Sequence, residues 1–175
     1  MIYYVNGDAT YPELVTPNNK NIIVHCCNDI GGWGAGFVLA ISRRWKEPER
    51  QYRTYYRSMR LGDIQIVKVE ENIAVCNLIG QHGILSSKPK IIDYSINPQK
   101  VYEYTNTKNY IPPIRYDAIK CGFKRLYSKI KDRPDIVIHM PRIGCGLAGG
   151  DWNVIEQIIN KVFIYSKIYV YDYNL

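Results

Sequence analysis

The chain has 175 residues, a length that predicts one domain with its own core and leaves no room for two ordinary ones. With 46% apolar residues it is too hydrophobic for a disordered chain, yet no apolar run approaches the ~18 residues of a membrane-spanning helix. A formal charge of +7 favours anionic partners, but Arg43-Arg44 and Lys129 to Arg133 are the only short clusters, so most basic residues are expected on solvated surface.

Ile2 to Val5 reads as a strand closed by the turn-forming Asn6-Gly7-Asp8. Nothing near Met1 resembles a signal peptide, and a cytoplasmic protein is expected. Asn21 to Cys26 is a continuous apolar run of the kind buried in a sheet with both faces covered. It enters a glycine cluster, Gly31 to Gly36, followed by a helical pattern from Phe37 to about Trp45. Pro48 is expected to interrupt or restart that helix, with more helix from Glu49 to Met59. Asp63 to Val69 and Asn72 to Ile79 read as a hairpin.

The stretch 80–113 is the least regular, and an insertion or lid is expected there within a single domain spanning 1–175. Ile114 to Lys131 predicts a helix, Asp135 to Met140 a strand, Asp151 to Phe163 a helix and Lys167 to Asp172 a last strand. Strands alternating with helices, most strands fully apolar, predict an α/β fold: a three-layer α/β/α sandwich around a mixed, mostly parallel sheet. The five cysteines are odd in number and lack C-x-x-C spacing, which fits reduced thiols and no metal site.

Function is expected where strands end in glycine. Ligands of open α/β sheets bind beyond the carboxyl ends of the strands, and a glycine loop opening a helix offers bare backbone and free N–H groups to phosphate. This arrangement occurs twice, at Gly31 to Gly36 and at Gly144 to Gly150, which points to a ligand with two phosphates. Gly144, Gly146 and Gly149 spell G-x-G-x-x-G, but Pro141-Arg142-Ile143 separate the strand from the first glycine, against a dinucleotide fingerprint.

Three segments carry a family resemblance: Asn6 to Thr10, Ile23 to Asn28 with Gly31 to Gly36, and Met140 to Leu147 followed by Asp151-Trp152. Together they resemble a macro domain, the ADP-ribose-binding module, and most closely its branch of ADP-ribose-1''-phosphate phosphatases and terminal ADP-ribose protein glycohydrolases. The resemblance implies binding of ADP-ribose or a derivative, free or protein-linked, without a cofactor, and a monomer is expected. It implies that Asp8, with Ala9 beside it, accepts from the adenine amino group and that Tyr171, or else Tyr173, puts an aromatic ring near adenine. Asn28, with Gly32, Gly34 and Gly36, would line the crevice at the distal ribose; Trp33, between glycines, reads as core or loop packing or, as a ligand contact, as closing over the ribose. Gly144, Cys145, Gly146, Leu147 and Ala148 would wrap the phosphates.

The resemblance also bears on reaction class. Glycohydrolases of this branch use a lysine after the strand ending in Asn77-Leu78-Ile79, where this chain has Gly80, Gln81 and His82, and an acid where it has Ala148. An amide cannot attack an anomeric carbon, so that mechanism is not expected. His25, read as the end of the second strand facing the crevice, matches a histidine of phosphatase-type members and is the expected proton relay, with Asp151 orienting it or a water. Hydrolysis of a terminal 1''-phosphate or ester is the leading expectation, a non-catalytic reader the alternative. Nucleic-acid binding ranks third, since no basic-aromatic stripe is visible along the sequence.

Overall fold

The apolar run that begins at Asn21 is the spine of the sheet. In the computed structural model, which describes residues 1–84 and 112–173, Lys20–Asn28 forms strand β2 inside a six-stranded sheet. Successive side chains point to opposite faces, so Ile22 and Val24 enter one apolar cluster while Ile23 and Cys27 enter the other. Burial on both sides is why the run shows no polar alternation.

The sheet order is β1 (Ile2–Asn6), β6 (Ile168–Asp172), β5 (Ile136–Pro141), β2, β4 (Ile73–Gln81) and β3 (Ile64–Glu70). Every neighbouring pair is parallel except β3 with β4, the expected hairpin. Helices α1 (Phe37–Arg44) and α2 (Glu47–Tyr55) cover one face through Val38, Ile41 and Tyr52. Helices α3 (Tyr116–Ile130) and α4 (Trp152–Val162) cover the other through Phe123, Leu126, Ile155 and Ile159. The result is a three-layer α/β/α sandwich on a mixed, mostly parallel sheet.

Several boundaries differ from the sequence reading. β2 continues past Cys26 to Asn28, because its pairing with β4 holds to Gln81 across a bulge. Pro48 marks the expected restart: α1 ends at Arg44, and Pro48 sits in the first turn of α2, where a missing N–H costs nothing. The turn Tyr56–Ser58 is 3-10, and a further short 3-10 helix at Pro12–Leu14 carries no apolar period that would announce it. Gly80 and Gln81 belong to β4, while most of the insertion expected at 80–113 lies outside the described residues. All five cysteines are unpaired, and no described helix is long and apolar enough to cross a membrane.

Candidate functional site

Parallel pairing of β1, β6, β5 and β2 brings their carboxyl ends to one edge, and a cavity of about 280 Å³ opens there. Its walls come from the loop after β1 (Asp8, Ala9), the end of the first glycine loop (Gly36, Phe37), and β6 (Tyr171). Arg43 and Tyr173 also line it. Asp8, Ala9, Gly36, Tyr171 and Tyr173, named from three distant parts of the sequence, therefore line one cavity.

Asp8 is held in a local turn. Its Oδ1 accepts from the Thr10 amide at 2.8 Å and the Thr10 hydroxyl at 2.7 Å, the Asx-type bonding that short acids make at strand ends. Oδ2 has no protein donor among the described residues and is the oxygen available to a ligand. Arg44 of α1 fixes the loop from outside, bonding the Thr10 carbonyl and pairing with Glu13 at 3.0 Å.

Asn28 is the staple of the first glycine loop. Its Oδ1 accepts from Ile30 N (3.0 Å) and Gly32 N (2.9 Å), and its Nδ2 donates to Gly32 O (2.8 Å). The Tyr52 hydroxyl lies 2.7 Å from the same Oδ1 and takes the Gly31 N–H at 3.1 Å. Asn28 is 7% exposed and its amide is committed to the loop, which corrects the expectation that it lines the crevice. As a ligand contact Trp33 is corrected likewise: its indole is 3% exposed, donates to Ser42 Oγ at 2.7 Å and packs on Tyr52. Tyr52, fully buried in α2, was missed because nothing in its local pattern marks a partner 24 residues upstream.

His25 does not end its strand and does not face the cavity. It lies three residues inside β2, 1% exposed, with Nε2 2.6 Å from Asn77 Oδ1 on β4 and its ring against Trp33 and Phe37. Asn77 Nδ2 donates to the Pro48 carbonyl and to Gln65, so its Oδ1 accepts and the imidazole carries its proton on Nε2. Burial lowers the His25 pKa to about 4, with the Asn77 bond opposing. His25 is thus buried and held neutral, and it does not line the cavity.

The second glycine loop is pinned at both ends. Arg142 reaches Asp172 at the end of β6 through bonds of 2.6 and 3.0 Å, and Ile143 is 1% exposed in the core. Gly150 N donates to Gly144 O at 2.7 Å, and Ile114 N to Ala148 O at 3.0 Å. The amides of Gly146, Leu147 and Ala148, like those of Gly34, Ala35 and Gly36, donate to no acceptor among the described residues. The two loops face each other: a Cβ on Gly36 would lie 3.6 Å from Leu147 Cδ1. Ala148 is buried, and the Cys145 thiol, its pKa pushed up to about 11 by burial, donates to Ile143 O. Asp151 caps α4, its Oδ1 accepting from Asn153 N at 2.9 Å, which accounts for an acid here without catalysis.

Tyr171 is 4% exposed, and its hydroxyl lies 2.7 Å from Nδ1 of His139 on β5. Nε2 of His139 is 2.8 Å from Asn21 Oδ1, which also accepts from Thr16. The sequence drew no attention to His139, Asn21 or Thr16. A further pair was also missed: Asp29, 3% exposed at the end of β2, holds His82 Nδ1 at 2.8 Å and Gly83 N at 2.9 Å beyond the end of β4.

No family model matches the chain. A macrodomain protein from Streptomyces coelicolor superposes with a TM-score of 0.73 at 35% identity, covering 99% of this chain and all of that one. The chain is 30% identical to the chromodomain-helicase-DNA-binding protein 1-like of Danio rerio over 97% of its own length, and it spans 16% of that protein. It is also 24% identical to the ADP-ribose 1''-phosphate phosphatase of Lodderomyces elongisporus, covering 98% of this chain and 99% of that protein.

Proposed function

The chain belongs to the macrodomain family, and on that premise we propose that it binds ADP-ribose, free or linked to a larger molecule, across the carboxyl edge of its sheet. The observation that carries this reading is the convergence of Asp8, Tyr171 and two facing glycine loops on that edge. Asp8 Oδ2 accepts from the adenine amino group, and the Tyr171 ring walls the base. The free amides of Gly34 to Gly36 and Gly146 to Ala148 meet the diphosphate oxygens as a pair of main-chain nests. Calorimetric titration with ADP-ribose, ADP and adenosine tests it: affinity rises in steps from adenosine to ADP-ribose, and equal affinity for all three would overturn the diphosphate assignment.

Hydrolysis of a terminal group on the distal ribose, a 1''-phosphate or an ester, is a second reading. It is favoured by the Asp29–His82 pair, because a carboxylate on Nδ1 fixes the tautomer and raises the basicity of the imidazole. Water adds to the phosphorus or ester carbon as its proton passes to the imidazole, and the imidazolium returns that proton to the ribose oxygen as the bond to it breaks, leaving a ribose hydroxyl. His25 holds the sheet beneath the first loop and takes no part. Turnover of both compounds by His82→Asn and His25→Ala separates the roles: the first, whose amide can still donate to the buried Asp29, loses kcat with its melting temperature nearly kept, the second loses melting temperature. Equal turnover by His82→Asn and the parent would leave a reader without this chemistry.

A further inference from the structure

Helix α3 and its C-cap carry Lys120, Lys124, Arg125, Lys129 and Lys131, and α4 brings Lys161 beside them. Two grooves flank it and share Lys124 and Ser128. One, of about 660 Å³, runs toward α2 and β3 and adds Arg125, Lys129 and Tyr55. The other, of about 320 Å³, runs toward α4 and adds Lys120, Lys131 and Lys161. Lys120, Lys124 and Lys131 fall on one stripe because helical spacing stacks residues four and seven apart, and Lys161 joins them from the end of α4. The five lysines are exposed and make no ion pair with any described residue, while Arg125 pairs with Asp63 at 2.7 Å, the sole acid lining either groove among the described residues. None of these residues lines the cavity at the carboxyl edge.

We infer that these grooves form a second binding site, for the sugar–phosphate backbone of a single-stranded nucleic acid. Lysine is depleted at protein–protein interfaces, whereas nucleic-acid interfaces are strongly positive, so a lysine-lined groove does not suit a protein partner. A membrane-surface helix needs large apolar anchors beside its basic residues, and α3 turns Phe123 and Leu126 into the core. Tyr55, 54% exposed in the larger groove, offers a ring on which an unpaired base can stack, and Ser128 and Gln65 supply neutral donors. A duplex would present no free base face to that ring. The site stands apart from the ADP-ribose proposal, and either can fail alone.

The test is fluorescence anisotropy with a labelled oligothymidylate and an oligouridylate of about 12 nucleotides, titrated across salt. Binding is expected to weaken with salt with a log–log slope between about −2 and −3.5, the value for three to five phosphate contacts on a single strand. Lys124→Glu should weaken it about tenfold and the Lys124→Glu/Lys131→Glu pair about a hundredfold, with ADP-ribose affinity unchanged. Lys46→Glu, at the far end of α2 and outside both grooves, should bind like the parent. Absence of binding at low salt, an equal loss in Lys46→Glu, displacement of the oligonucleotide by ADP-ribose, or equal affinity for poly-glutamate would each overturn the inference.

Discussion

The Tyr171 hydroxyl donates to Nδ1 of His139 across 2.7 Å, so the ring that walls the cavity is fixed by a histidine that never meets solvent. The proton order follows from the acceptors: Asn21 Oδ1 takes Nε2–H at 2.8 Å, leaving Nδ1 as the acceptor for tyrosine. Tyr171→Phe keeps the ring but strands a buried nitrogen. It should cost about 1–3 kcal/mol of stability while ADP-ribose affinity stays within about threefold. Tyr171→Ala should lower affinity by about tenfold or more, since it removes the ring face. Urea unfolding and calorimetry on the two variants check the split, and a larger affinity loss in Phe than in Ala would contradict it.

His139 and His25 are both held neutral by burial, with pKa values lowered to about 3 and about 4. In the unfolded chain each protonates near its usual ~6.5, so falling pH loads protons onto the unfolded state first. Their contribution is complete above that value and is lost as pH falls through the window from ~6.5 toward the folded pKa values. At pH ~5 each should have cost about 2 kcal/mol of stability relative to pH ~8. Denaturant midpoints across that range check this, and His25→Gln should flatten the dependence by one histidine's share. A parent protein equally stable at both ends would contradict it.

Much of this arrangement could be read from order and spacing alone. The apolar run from Asn21, the hairpin at Glu70-Glu71 and the two glycine clusters declare themselves within a few residues, because strand burial and glycine turns are local properties. What stayed hidden depends on pairing across the chain. His25 and Asn28 sit on a run whose continuous apolarity conceals which face each residue takes, and only the β4 partner Asn77 and the α2 partner Tyr52 decide it. The Tyr171–His139 bond spans 32 residues and the Asp29–His82 pair spans 53. The lysines of α3 lie close in sequence, but Lys161 joins them only when α3 and α4 lie side by side.

Asp8 combines a turn with a recognition group, and one substitution separates them. Asp8→Asn keeps an Oδ1 that accepts from Thr10 N and the Thr10 hydroxyl, so the loop survives. Its other side becomes an NH₂ facing the adenine amino group, donor against donor. The melting temperature should change little while affinity for ADP-ribose falls by about tenfold to a hundredfold. Asp8→Ala should lose affinity and also about 1 kcal/mol of stability, because the Thr10 bonds go with it. Calorimetry that finds Asp8→Asn binding like the parent would remove Asp8 from adenine recognition.

Gly144 and Gly146 look equivalent in the sequence, both in the loop that would wrap the phosphates. They are not equivalent. At Gly144, φ is +73° and an added Cβ would come within 2.3 Å of Ile114 Cδ1, so the fold itself demands glycine there. At Gly146, and at Gly34 in the facing loop, an added Cβ meets no described residue within 4 Å and the backbone is not left-handed. The fold gives no reason for glycine at these two positions, whereas a diphosphate lying against the loop backbone does. Gly144→Ala should therefore destabilise by about 1–3 kcal/mol. Gly34→Val and Gly146→Val should stay within about 0.5 kcal/mol of the parent yet bind ADP-ribose more than about tenfold more weakly. Thermal denaturation and calorimetry on the same three proteins measure both quantities, and unchanged affinity in both valine variants would leave the paired nests without a ligand to hold.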